Sequence, residues 1–217
     1  MRSLIYKDFK LSINWFFFII MPFLTGALFL IPQWPFFIAL MYFFFITVPN
    51  VFATYNSQND FGFAIMMPVS KNDIVKGKIS SFIIIELIHL LTGAIFAFIH
   101  VKLYGIDNFM LDLNFAFFGI AFMMFALFNI VFFPIYFKSA YKYGIPTIAA
   151  NVAAILFAAA VELLVLFNPV FRNFLEGRSP EMKVLQIIIL IAGIGIFALF
   201  NFIAYKMSAK RFENIDL

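Results

Sequence analysis

Apolar residues run along this chain in six long stretches, at about 15–31, 35–55, 79–101, 113–137, 145–168 and 184–205, separated by short polar segments. Each is close to the roughly 20 residues that a helix needs to cross the hydrocarbon core of a bilayer. Only Ile31-Pro32-Gln33-Trp34-Pro35 separates the first two, which predicts a helical hairpin with an interfacial tryptophan at its tip. Pro22, Pro49 and Pro134 fall inside spans, where the missing N–H predicts local bends. Pro146 and Pro180 stand at predicted helix starts. Ahead of the first span, Met1, Leu4, Ile5 and Phe9 recur at helical spacing, with Arg2, Lys7 and Lys10 available to a phospholipid-facing side. That pattern predicts a helix over 1–12 lying flat on the membrane surface, or an ordinary basic juxtamembrane segment that fixes topology.

Composition sharpens the class. Of 217 residues, 65% are hydrophobic, 21% aromatic and 12% charged, with 35 Phe and no Cys, and the mean hydropathy is +1.02. A soluble domain carries about twice that charge, and disorder requires low hydrophobicity. The absence of cysteine excludes a disulfide scaffold, a thiol nucleophile and a thiolate metal site. The expected fold is therefore an all-α integral membrane protein. One compact transmembrane domain over 1–217 is expected, with six spans, an interfacial helix at 1–12, a long loop at 56–78 and an opposite segment at 168–183. No removable signal peptide is expected, because no small-residue cleavage site follows a short apolar core.

Charge location gives orientation. One set of loops holds 11 of the 15 basic residues: Arg2, Lys7, Lys10, Lys71, Lys76, Lys78, Lys138, Lys142, Lys206, Lys210 and Arg211. The opposite set holds Lys102, Arg172, Arg178 and Lys183. The positive-inside rule then predicts that both termini are cytoplasmic. A net charge of +4 spread in this way gives no reason to expect nucleic acid as a partner.

The loop at 56–78 reads NSQNDFGFAIMMPVSKNDIVKGK and is too apolar for a plain solvated connector. Phe61, Phe63, Ile65, Met66, Met67 and Val69 form a cluster of the kind that marks a binding surface when exposed, and methionine suits an adaptable groove. The alternative is a loop packed against its own bundle. Ser70 and Asp73 have the S-x-x-D spacing of a capping box, so the third helix is predicted to start well before the membrane.

The run from Asp60-Phe61-Gly62-Phe63 through Met67-Pro68-Val69-Ser70-Lys71-Asn72-Asp73-Ile74-Val75-Lys76-Gly77-Lys78 resembles the LPVSRKDIVKGK signature of small six-helix permeases in type-2 ABC exporters. Within that class it is most similar to Gram-positive permeases associated with phenol-soluble modulin export and antimicrobial-peptide immunity. The resemblance implies a bacterial cell-membrane protein whose loop after span two carries a coupling helix. That assigns docking of a cytoplasmic ABC ATPase to Asp60, Phe61, Phe63, Met66, Met67, Pro68, Val69, Ser70, Lys71, Asp73 and Ile74. It also implies two ATPase copies carrying ATP and Mg, a second permease copy or paralogue, a peptide substrate and an amphipathic connector at 1–12. Asn72 stands where many relatives are basic.

Several polar residues lie at membrane depth, where they usually face a bundle interior or cavity. Glu86 and His89, at i and i+3, share a helix face and suit a structural polar pair or a proton-sensitive element. Di-iron and zincin patterns need Glu-x-x-His pairs or H-E-x-x-H that this chain lacks, so no metal is expected. Asn129, Asn151 and Asn201 fit interhelical hydrogen bonding. Ala150, Ala154 and Ala158 recur every four residues, with Glu162 next on the stripe. Such a stripe serves packing within one bundle or, by the resemblance, a dimer seam. Glu162 would then lie near a substrate exit, either contacting a cationic peptide or buried and protonated. In the segment 168–183, Val170, Phe171, Phe174 and Leu175 suit a short surface helix, and Ser179 suits a helix cap.

The phosphate-binding loop G-x-x-x-x-G-K-[S/T] is missing from the sequence, since Gly77-Lys78 is followed by Ile79 and preceded by Asn72 in place of the first glycine. The chain is therefore expected not to be an enzyme and to bind no cofactor of its own. The reading is a permease driven by a separate ATPase. The alternative is a ligand-capturing membrane module of a vitamin-uptake type, which would not explain the apolar loop.

Overall fold

The computed structural model describes residues 2–105, 108–139 and 142–214, without the side chains of Arg2, Ser12, Phe61 and Ile65. Met1, the predicted start of the surface helix, lies outside the described residues. Among the described residues, nine helical elements follow one another: α1 (Ser3–Leu11), α2 (Phe16–Leu30), α3 (Phe36–Ser57), α4 (Asp60–Met66), α5 (Lys71–Tyr104), α6 (Phe115–Lys138), α7 (Gly144–Phe167), α8 (Pro169–Glu176) and α9 (Pro180–Glu213). Five of them, α3, α5, α6, α7 and α9, are long and apolar enough to cross a membrane, and the pair α1 and α2 makes a sixth candidate. The fold is all-α, as the pattern predicts.

α1 and α2 meet at 97°. With α2 along the bundle, α1 runs across its end, the arrangement of a surface helix feeding a span. The predicted bends take a specific form at two prolines. Directly before Pro22, the Met21 N–H reaches back five residues to the Phe16 carbonyl; directly before Pro49, the Val48 N–H does the same to Phe43. Each proline is thus met by one π turn, Phe16–Ile20 or Phe43–Thr47, which relieves the clash that a proline ring makes with the carbonyl four residues back. Pro134 sits inside α6 with no such turn.

Phenylalanine fills the core. Phe44 stacks on Phe128 at 4.2 Å, Phe52 meets Phe132 at 4.7 Å, and Phe82 stacks on Phe132 at 6.2 Å, so α3, α5 and α6 share one aromatic column. Offset and edge-on aromatic pairs add to burial. α6 and α9 touch backbone to backbone at Gly119 and Gly193: a Cβ on Gly119 would sit 2.5 Å from the Ile189 carbonyl oxygen, and one on Gly193 would overlap the Gly119 carbonyl. α7 and α9 turn broad apolar faces outward, through Ile148, Val152, Leu156 and Leu163 on one and Val184, Ile188 and Ile191 on the other.

α5 begins at Lys71 because Ser70 caps it. The Ser70 hydroxyl oxygen accepts from the Asp73 amide at 3.0 Å and donates to the Asp73 carboxylate at 2.7 Å. α9 is capped likewise by Ser179, which accepts from Met182 N at 3.3 Å. Both helices run 34 residues, and the start of α5 and the last turn of α9 meet at the end of the molecule that also carries α1. There the Lys71 ammonium donates to the Glu213 carbonyl at 3.3 Å and the Tyr205 hydroxyl to Asn72 at 2.6 Å.

Candidate docking and coupling site

α4 is built to present one face and hold back the other. Asn59 adopts φ 50°, a left-handed conformation that asparagine tolerates, and this turns the chain out of α3 and into α4. Asp60 and Ala64, one helical turn apart, point inward and are buried, whereas Phe63 and Met66 point away from the bundle, 51% and 82% exposed. Met67 is half-buried against the core, and Pro68, Val69, Ser70 and Asp73 are exposed beyond it. Ile74 is buried, and Lys71 turns to the end of α9. The side chain of Phe61 lies outside the described residues.

Asp60 is therefore not part of the outward surface. Its two oxygens take Lys7 Nζ at 2.5 Å and Lys78 Nζ at 2.6 Å, and Asp8 Oδ1 lies 3.3 Å from both ammonium groups. The ammonium of Lys78 also sits 3.3 Å from the centroid of the Tyr55 ring. Two cations and two anions from α1, α4 and α5 thus make a neutral cluster, with Lys78 only 3% exposed. Burial disfavours the Asp60 carboxylate, but Lys78 and Lys7 overcome it and hold the group below the ordinary carboxylate range. Burial likewise pulls the Lys7 ammonium down, and Asp60 and Asp8 outweigh it, leaving the group above the ordinary lysine range. The pattern of α1 placed Lys7 toward phospholipid; the structure turns it inward. Beside the cluster, Leu4 of α1 packs on Gly77, where an added Cβ would come within 3.0 Å of Leu4 Cβ.

Within the bundle, Glu86 and His89 do not pair. Glu86 Oε2 accepts from Asn129 Nδ2 at 2.7 Å, the same nitrogen reaches Asn201 Oδ1 at 3.0 Å, and His89 Nδ1 lies 3.1 Å from the Ile85 carbonyl. Asn129 and Asn201 thus join α5, α6 and α9, while Asn151 Oδ1 is buried without a partner. Among the described residues, no group of three His, Asp or Glu could hold a metal ion.

Ala150, Ala154 and Ala158 are all buried within this chain, so the stripe is the surface that α7 uses to pack on its own bundle. Glu162, at its end, holds the loop that follows α5: Glu162 Oε2 accepts from the Leu111 amide at 3.0 Å. The same loop is fastened to α8. Glu176 accepts from the Asp112 amide at 3.1 Å and pairs with Arg172 at 2.7 Å, and Arg172 donates to the Asn108 carbonyl at 2.8 Å. α8 is the short helix expected from its spacing, capped by Asn168.

Of the apolar cluster expected at 61–69, Phe63 and Met66 of α4 are exposed and Met67 is half-buried, with the side chains of Phe61 and Ile65 outside the described residues; the anchor at Asp60 was not foreseen. The available signals were Asp8, an acid inside a basic helix, and Lys78, the charge immediately before an apolar span. No curated protein and no solved structure matches this chain. The family model for ABC-2 family transporter proteins matches residues 3–213. That match spans nearly the whole helical bundle, α1 to α9, and the chain belongs to the ABC-2 transporter family.

Proposed function

We propose that this chain, by its family a transmembrane subunit of an ABC transporter, is an exporter permease, and that α4 is the element on which a separate ATPase docks. The observation that carries this reading is the split of α4 into an exposed Phe63 and Met66 face and an inward Asp60 and Ala64 face. A soluble surface rarely leaves such side chains uncovered, and a few apolar anchors supply most of the energy of an interface. The cluster lies at the end that carries α1 and the last turn of α9, where most of the basic residues fall, and that end is assigned to the bacterial cytoplasm. Two ATPase copies would carry ATP and Mg, and a second permease copy or paralogue would meet the outward face of α7 or α9. Amphipathic or hydrophobic peptides are the proposed cargo, a choice that rests on the resemblance of the 60–78 segment.

The test is co-purification of the tagged chain in mild detergent from its native membrane. A stoichiometric ATPase is expected. Phe63→Ser with Met66→Ser should lower its recovery about tenfold or more while the permease still inserts normally. Undiminished recovery would move the docking site elsewhere. Recovery of the chain alone with a tightly held small molecule would favour a ligand-capturing module. Stimulation of ATP hydrolysis by a synthetic amphipathic helical peptide is expected, and no response would sink the peptide assignment.

A further inference from the structure

Besides packing Phe9 against Phe18 of α2, α1 is fastened to α4, α5 and the end of α3 by three sets of contacts. Leu4 seats on Gly77 of α5, Lys7 and Asp8 enter the ion cluster with Asp60 of α4 and Lys78 of α5, and the Leu11 carbonyl accepts from Gln58 Nε2 at 2.8 Å, just past α3. Apolar contacts alone would let α1 slide over α5, because they have little directionality. The charges fix what the apolar seat leaves free. Asp60 spans two ammonium groups that come from different helices, so α4 cannot rotate about its own axis without breaking one of the two contacts. A neutral buried cluster of this kind often contributes no more stability than apolar residues of the same volume would; what it supplies is a defined relative position.

We propose that Lys7, Asp8, Asp60 and Lys78 are positioning residues that make α1 and α4 one body seated on α5, so that any displacement a partner imposes on α4 is carried to α1 and α5 together. The mechanical statement stands on the cluster geometry, and its role in transport rests on the docking reading above. α1 then has a role beyond marking the membrane surface: it is the second arm of the unit that receives the partner.

The chain has no cysteine, so a pair introduced at the exposed positions Tyr6 and Lys76 can be spin-labelled specifically. In the assembled complex, the labels should report one narrow distance that is the same with ADP and after vanadate trapping. Asp60→Asn should broaden it and reduce permease-dependent stimulation of ATP hydrolysis about tenfold. ATPase recovery should stay close to that of the unaltered complex, since Phe63 and Met66 are untouched. Lys78→Arg should preserve the narrow distance, and Lys78→Met should behave as Asp60→Asn does. Gly77→Val keeps all four charges and displaces Leu4, and it should shift the distance even if the charge variants fail to insert. A narrow distance with full stimulation in Asp60→Asn and Lys78→Met would overturn the proposal. So would loss of ATPase recovery in Asp60→Asn at an unchanged distance. The docking reading fails separately, if Phe63→Ser with Met66→Ser leaves recovery intact.

Discussion

At the scale of single residues, the pairing of Asp60 decides how the terminal end responds to pH. Its carboxyl is held below the ordinary carboxylate range, so the stability it contributes is present at and above that range and is lost only as the pH falls through its lowered folded value. Lys7 is held above the ordinary lysine range; its contribution is full below that range and is lost only as the pH rises through its raised folded value. Neither boundary falls between about pH 5 and about pH 9, given the ordinary values of the two groups. The labelled Tyr6–Lys76 distance should therefore stay constant over that interval and broaden only outside it, which a pH series of the same distance measurement checks. The partners in this cluster were not legible in the sequence. Lys7 and Asp60 are 53 residues apart, and only the folded bundle brings them together. Periodicity finds a face, but it cannot say which of two polar faces on a short helix meets another helix.

At the scale of elements, the six apolar stretches and their order were readable, since a bilayer demands length and hydrophobicity in one continuous run. The start of α5 at Lys71 was readable as well, from Ser70 and Asp73. The backbone contact between α6 and α9 was not. Gly119 and Gly193 look like unremarkable small residues among many apolar ones, yet they let α6 and α9 meet backbone to backbone. Gly119→Ala should force the helices apart and destabilise the protein by about 1–3 kcal/mol, the usual range for overpacking, while Gly195→Ala, where nothing lies within 4 Å, should be harmless. Thermal unfolding of the detergent-solubilised protein compares the two. Equal melting temperatures would mean that the α6–α9 contact is looser than described. The π turns were predicted only as bends, because the sequence shows a proline but not how the preceding carbonyls rearrange around it.

For the whole molecule, the alanine stripe of α7 illustrates what one chain's sequence leaves undecided. Small residues every four positions fit an interface within a bundle and one between copies equally well, and the structure places them within. Ala154→Trp should accordingly destabilise the single chain itself, with loss of folded protein in detergent. Leu156→Trp, on the 65% exposed outer face, should leave the fold intact and alter self-association if a second copy meets α7 there. Size-exclusion chromatography with light scattering separates these outcomes, and the reverse result would place the seam on the stripe.

α5 spans 34 residues from its cap beside the ion cluster to Tyr104, and four residues later the chain reaches Asn108, in the loop tied to Glu162 and α8. A helix of that length is about 51 Å long, some 20 Å more than the hydrocarbon core it crosses. It is a lever. Tilting it by about 5° at the cluster end moves the far end by roughly 4 Å, more than the reach of a hydrogen bond. Under the docking proposal, a tilt of that size imposed through Phe63 and Met66 is expected to strain the hydrogen bond from the Leu111 amide to Glu162 at the far end.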